Sequence, residues 1–278
     1  LRDGEDSLPM DTFELYEMGI AAALRRHFSG QDEESQKLAR QTLDLLQRIA
    51  VANHLSKRRT FQPADIRKAL GGDCALLDLW TSLLASGEVP LVKILTLGEA
   101  GEFQFRHLSF QEALFVRAMC QASCGSHAGH ARALAGFCSS DEERNACLND
   151  PFFRNAFALG RGHLGAALAR RCSMWYFGCQ PVLSSLGKAG MFHLLAGAAL
   201  RQLNLSNVNL QAESDLSAFV DSMLHTSSQL ESLESLCLRC CRLPAGAALL
   251  LGKLLRQCSS LVRLDMEENP HIFSSGRG

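Results

Sequence analysis

Apolar residues follow two periods along this chain, and the switches between them place its elements. Phe103, Phe105 and His107 alternate with Glu102, Gln104 and Arg106, which predicts a strand whose apolar face carries His107. At Ser109 the period changes. Ser109 and Glu112 have the S-x-x-E spacing of a capping box, so a helix is predicted to start there. Phe110, Leu114, Phe115, Val116 and Met119 wrap most of that helix in apolar groups and predict its burial. Upstream, Asp11 and Glu14 give a second capping signal. Phe13, Tyr16, Ile20 and Leu24 then keep helical spacing, with Arg25, Arg26 and His27 at the end where cations are favoured. Ser29–Ser35 is a polar linker. Leu38, Leu45, Leu46, Ile49, Ala50 and Leu55 mark a helical stripe over Leu38–Leu55, and the basic turn Lys57-Arg58-Arg59 follows. Pro63–Leu70 reads as a short helix with Pro63 at a tolerated first-turn position and Gly71-Gly72 at its end. Leu76, Leu77, Leu79, Trp80, Leu83 and Leu84 form a third helix. Val89–Leu97 is β-rich and turns through Gly98–Gly101 into Glu102–His107.

Beyond Gln121 the pattern is mixed up to Gly190. Gly125–Gly129 reads as a turn, and Asp141–Leu148, Phe152–Leu159 and Gly165–Arg170 as short helices. The last third repeats. Leu200-x-x-Leu203-x-Leu205 ends in Val208-x-Leu210, Leu233-x-x-Leu236-x-Leu238 ends in Cys241-x-Leu243, and Leu261-x-x-Leu264-x-Met266 ends in Asn269. The units stand roughly thirty residues apart. Each start predicts a short strand with its leucines inward, and each Asn or Cys a side chain that hydrogen-bonds neighbouring backbone. Val208 cannot do that, so the first unit is an entry unit. Helices are predicted between the starts, over Asp215–Leu224 and Ala245–Gln257. About two and a half units are visible. Asn204, Cys237, Arg239 and Asp265 fall on the exposed strand positions that solenoids usually turn toward partners.

Composition narrows the function classes. The chain of 278 residues is long enough for about two domains with real cores, and 47% of it is hydrophobic. A net charge of −1 gives no global attraction to nucleic acid or to a membrane surface. Charges and glycines break the longest apolar runs well short of the ~18 residues a span needs. No signal peptide is evident. The chain begins at Leu1 and stops after Arg277-Gly278, which reads as a piece of a longer protein. Eleven cysteines, odd in number and scattered, read as reduced, buried small hydrophobes of a cytoplasmic protein. Cys237-Leu-Arg-Cys240-Cys241 has the spacing of a zinc half-site, but no second C-x-x-C exists and the repeat accounts for Cys241, so no metal site is predicted.

Catalytic patterns are missing from the sequence. There is no G-x-x-x-x-G-K-[ST], no G-x-S-x-G and no H-E-x-x-H. His54, His107, His127, His130, His163 and His193 share no spacing with acids, and no catalytic residue is predicted. Phosphoryl transfer needs a phosphate cradle and a magnesium ligand, and the sequence offers neither.

The order helix, helix, helix, hairpin is that of a winged helix. Phe105-Arg-His107-Leu-Ser109-Phe110-Gln111-Glu112 resembles the F-x-H-x-S-F-Q-E pattern that ends the winged-helix domain of NACHT-type signalling ATPases, the NOD-like receptor family. Thr12-Phe13-Glu14-Leu15-Tyr16-Glu17 is similar to the E-L-Y-E helix that closes a NACHT module, and the C-terminal units resemble ribonuclease-inhibitor-type leucine-rich repeats. The resemblance implies a mainly α fold with small β content: the end of a NACHT module over 1–36, a winged helix over 37–120, a helical domain over 121–190 and a truncated α/β repeat solenoid over 191–278. It implies that His107 reaches the phosphate of ADP and holds a closed state, with Phe105 and Phe110 as core residues. ADP or ATP with magnesium would belong to the intact parent, whose ATPase core this sequence lacks; the chain alone is not an enzyme. The implied partners are proteins, through the repeats or through self-association of the NACHT module.

Two other classes stand beside this reading. One is a nucleic-acid-binding winged helix with an appended solenoid. Its third helix, over Cys74–Ser86, holds no Lys or Arg, and Lys57, Arg58, Arg59, Arg67 and Lys68 lie outside it. The other is an enzyme built on the middle region, for which no nucleophile–base–acid pattern is visible.

Overall fold

Phe61, Trp80, Phe103 and Phe105 bring their rings together at the centre of the first half of the chain, with centroids 5.2 Å apart for Trp80–Phe103 and 5.6 Å for Phe61–Phe105. A computed structural model describes residues 11–30, 32–98, 100–121, 140–225 and 230–272. The chain divides into two units, 1–118 and 119–278. It is mainly helical with small sheet content.

In the first unit, α1 (Thr12–His27) starts where Asp11 accepts the Glu14 N–H at 2.9 Å, and it buries Phe13, Ile20 and Leu24. α2 (Glu33–Leu55) begins five residues before the expected stripe. Asp32 caps it, accepting from the Ser35 N–H at 2.8 Å, and its first turn is exposed, so no apolar residue announces it. β1 (Thr60–Phe61) is too short to show a period. α3 (Pro63–Leu70) and α4 (Cys74–Ala85) lie where the sequence puts them. β2 (Val92–Thr96) and β3 (Glu102–Phe105) complete an antiparallel sheet of order β1-β3-β2. Phe103 faces Phe61 and Phe105 faces Val92, so the central strand carries the two aromatics. α5 (Leu108–Gln121) follows, with Leu114, Phe115, Val116 and Met119 buried as expected and Phe110 half-buried.

The second unit contains α6 (Asp141–Asn149), α7 (Arg154–Ala169), β4 (Met174–Tyr176) and α8 (Ser185–Leu195). β5 (Gln202–Asn204), α9 (Glu213–Leu224), β6 (Ser235–Cys237), α10 (Ala247–Leu255) and β7 (Arg263–Asp265) follow. The strands form one parallel sheet of order β4-β5-β6-β7. Trp175, Leu203, Leu236 and Leu264 stand in register. The sheet therefore opens at β4, ahead of the first expected unit; Met-Trp-Tyr carries no leucine to reveal it. The two short helices expected over Phe152–Arg170 are one helix, α7, kinked at Arg161 (φ 31°, ψ −124°). α7 and α8 approach so closely that a Cβ on Gly165 would lie 1.9 Å from the Leu194 carbonyl oxygen. The turn expected over Gly125–Gly129, with His127 and His130, lies outside the described residues. Among the described residues no helix is long and apolar enough to cross a membrane.

Candidate functional site

His107 does not lie on a strand. β3 ends at Phe105, the Arg106 N–H donates to the Leu91 carbonyl at 2.8 Å, and the chain bends outward. His107 is exposed one residue ahead of α5, and its carbonyl accepts the Phe110 N–H at 3.1 Å. The expected burial of this imidazole is therefore corrected: pairing stops once Phe105 has met Val92, and the alternation at 106 and 107 carries no ladder. The helix starts at Leu108, so Ser109 lies within its first turn rather than capping it. His107 immediately precedes the first turn of α5, where the leading N–H groups of a helix lack i−4 partners. Arg106 is exposed next to it and pairs with Glu88 at 3.4 Å. The Phe110 ring, 6.0 Å from that of His107, turns inward and meets Tyr16 edge-on at 5.8 Å.

Gln111 explains why the bend is held. It is fully buried, accepts from Asn53 Nδ2 at 2.9 Å and donates to the Arg58 carbonyl at 3.0 Å. Asn53 and Arg58 are joined by the end of α2. The Arg58 N–H donates to the Asn53 carbonyl at 3.0 Å and the Lys57 N–H to that of His54 at 3.0 Å, with Lys57 left-handed at φ 55°. Arg58 then forks onto Asp65 at 2.7 and 3.1 Å. Burial pushes the Asp65 carboxyl up, but the Gln62 N–H and the Arg58 guanidinium outweigh it and hold the group below its usual range. The amide network thus ties the root of α5 to the basic turn. Sequence reading passed over Gln111, because one polar residue on a buried helix shows its partner only in three dimensions.

The predicted partner-facing residues come together in part. Asn204, Cys237 and Asp265 stand in one register row of the parallel sheet and are half-buried. A hydrogen-bond chain runs along them: Ser206 Oγ donates to Asn204 Oδ1 at 2.6 Å, lies 3.1 Å from Cys237 Sγ, and Cys237 reaches Asp265 at 3.6 Å. Arg239 lies outside the row, exposed, paired with Glu268 and with Glu267 at 3.6 Å. The three neighbouring sulfurs have separate partners. Cys240 donates to Glu268 at 2.8 Å and Cys241 to the Leu205 carbonyl at 3.0 Å. The bond to Glu268 pushes the Cys240 thiol up, and burial pushes that of Cys241 up to about 12, which disfavours the thiolate a metal would require. Among the described residues no group of three or more His, Cys, Asp or Glu could hold a metal ion. Asn269 serves the backbone as expected, donating to the Leu238 carbonyl at 2.8 Å and accepting the Leu243 N–H at 3.1 Å.

Three further polar residues went unread in the sequence. Asn145 donates to the Phe177 carbonyl at 2.9 Å, and Asn149 accepts the Ser184 N–H at 2.8 Å. Arg144 is buried over the Trp175 and Phe177 rings, 5.5 and 5.4 Å away. All three hold the loop that carries the chain from β4 to α8. Neither a known family model nor a curated protein matches the chain.

Proposed function

We propose that this chain is the regulatory and protein-interaction part of a NOD-like-receptor-type signalling ATPase. The observation that carries the reading is the junction at His107: an exposed imidazole beside a helix N-terminus, anchored from behind by a buried glutamine, at the end of a three-helix and hairpin unit. Such a junction suits contact with an anion. Exposed His107 can donate one hydrogen bond, and first-turn N–H groups add a positive field. These residues fit the edge of a phosphate site but not a cradle, since the sequence has no phosphate loop. In the intact protein His107 would bond the diphosphate end of ADP bound to an ATPase core. The nucleotide would supply the charge that changes on exchange, and the winged-helix lid would respond by rotating as a rigid body. The parallel sheet would present Asn204, Cys237 and Asp265 to a protein partner, with Arg239 exposed just beyond β6.

The test is ADP release from the full-length protein, followed with a fluorescent ADP analogue. His107→Ala should speed release roughly tenfold, the scale of one hydrogen bond to a phosphate. An unchanged rate would sink the proposal. The rival reading as a nucleic-acid-binding module predicts salt-dependent DNA binding by the chain. α4 opposes it, with no Lys or Arg to contact phosphates.

A further inference from the structure

The connection between α7 and β4 carries a pattern that the nucleotide reading does not use. It reads Arg170-Arg171-Cys172-Ser173-Met174: two arginines, one spacer, a serine, then an apolar residue. Basic-directed serine/threonine kinases select substrates by this charge pattern, with acidic clefts that take both guanidinium groups. The segment is suited to entering such a cleft. Residues 170–173 lie between helix and strand, Arg170 and Arg171 are exposed, Met174 is 56% exposed, and Ser173 is half-buried.

The sheet gives Ser173 a specific neighbour. Its carbonyl accepts two N–H groups, from Arg201 at 2.8 Å and Gln202 at 3.1 Å. The Arg201 carbonyl accepts likewise from Glu234 at 2.9 Å and Ser235 at 3.1 Å, and the Glu234 carbonyl from Val262 at 2.9 Å and Arg263 at 3.0 Å. Ser173, Arg201 and Glu234 are therefore equivalent positions on successive units. The side chains of Arg201 and Glu234 meet in this column. Arg201 Nε donates to one Glu234 oxygen at 3.0 Å and Nη2 to the other at 2.9 Å. A guanidinium has donors beyond the ones this fork uses, so Arg201 retains donors for a second anion.

We propose that Ser173 is a phosphorylation site for a basic-directed kinase and that Arg201 receives the phosphate. The γ-phosphoryl group of a nucleoside triphosphate passes to Ser173 Oγ. The bond to the leaving nucleoside diphosphate breaks, and the serine proton goes to the kinase's base. The new phosphate carries nearly two negative charges and three acceptor oxygens. It falls beside Arg201 on the side away from Glu234 and extends the pair into a phosphate–Arg201–Glu234 ladder across the first three strands. Ser173 serves the sheet through its carbonyl, so phosphorylation of the hydroxyl leaves the ladder of backbone bonds in place.

The test uses the folded chain, ATP and the catalytic subunit of cyclic-AMP-dependent protein kinase, a basic-directed enzyme, with the phosphate mapped by mass spectrometry. Phosphate is expected on Ser173, none at that position in Ser173→Ala, and a rate about tenfold lower in Arg171→Ala, as for one lost charge-assisted contact. Phosphate only at other residues, or on Ser173 only after unfolding in urea, overturns the site. Phosphorus NMR then tests the receiver. Arg170 and Arg171 flank the phosphate on its own segment, and Arg201 and Glu234 face it from the adjacent units. The second phosphate pKa is expected below its ordinary value of about 6 and to rise in Arg201→Ala. Identical titrations in the two proteins overturn the role of Arg201.

Discussion

Gln111 shows how one side chain can fix a surface feature it does not belong to. Its amide uses both ends, toward Asn53 and toward the Arg58 carbonyl, with no exposure to water. Replacing it with leucine keeps the volume but strands the Asn53 amide and the Arg58 carbonyl. Gln111→Leu should lower the stability of the first unit by about 1–3 kcal/mol, measured by urea unfolding. A midpoint equal to that of the wild type would mean that water replaces the amide at no cost. In the sequence it is a polar position on a largely apolar helix, with nothing nearby to show its partners. His107 is the opposite case: its alternation with Phe103 and Phe105 suggests burial, and the end of the ladder exposes it.

Among elements, α7 carries the most evident strain. A helix that runs from Arg154 to Ala169 places Arg161 at φ 31°, ψ −124°, where a side chain is crowded and glycine is not. The kink lets both halves lie against α8, where Gly165 admits the Leu194 carbonyl. Backbone strain of this kind costs about 1–3 kcal/mol, and a glycine loses about 0.5–1 kcal/mol more on folding than alanine does. Arg161→Gly should therefore stabilise the second unit by about 1 kcal/mol net, seen as a higher midpoint in thermal unfolding. A lower midpoint would mean that the arginine side chain contributes more than its backbone costs. The glycines flanking Arg161 read in sequence as a boundary between two helices, and only the packing of α8 shows that the helix continues.

At the scale of the molecule, the two units bury different materials: an aromatic cluster in the first, and in the second a register row of Trp175, Leu203 and Leu236, continued by the half-buried Leu264. The second unit should lose stability in acid through His193. Burial, and secondarily the Arg161 charge, hold its pKa below the ordinary value of 6.5. The unfolded chain then binds the proton more readily than the folded one. His193 contributes stability that is fully present above pH 6.5 and is lost as pH falls through its lower, folded value. Unfolding followed from neutral to mildly acid pH should show this slope, and His193→Gln should flatten it. An equal slope in both proteins would assign the acid sensitivity elsewhere.

Helix positions and repeat starts were legible because both are local. The Asp11 cap, Pro63, helical apolar spacing and the Leu-x-x-Leu-x-Leu runs each act within a few residues, so the chain announces α1, α3, α4, α9, β5 and β6 in its own order. What required the tertiary structure was non-local. β1 exists because β3 has an open edge at Phe103, β4 because β5 offers one to Met-Trp-Tyr, and the His107 bend because Gln111 finds Asn53 58 residues away. Hydrogen bonds across such distances leave no period in the sequence. They depend on which groups the fold carries out of water together, and that is decided only when the chain has closed on itself.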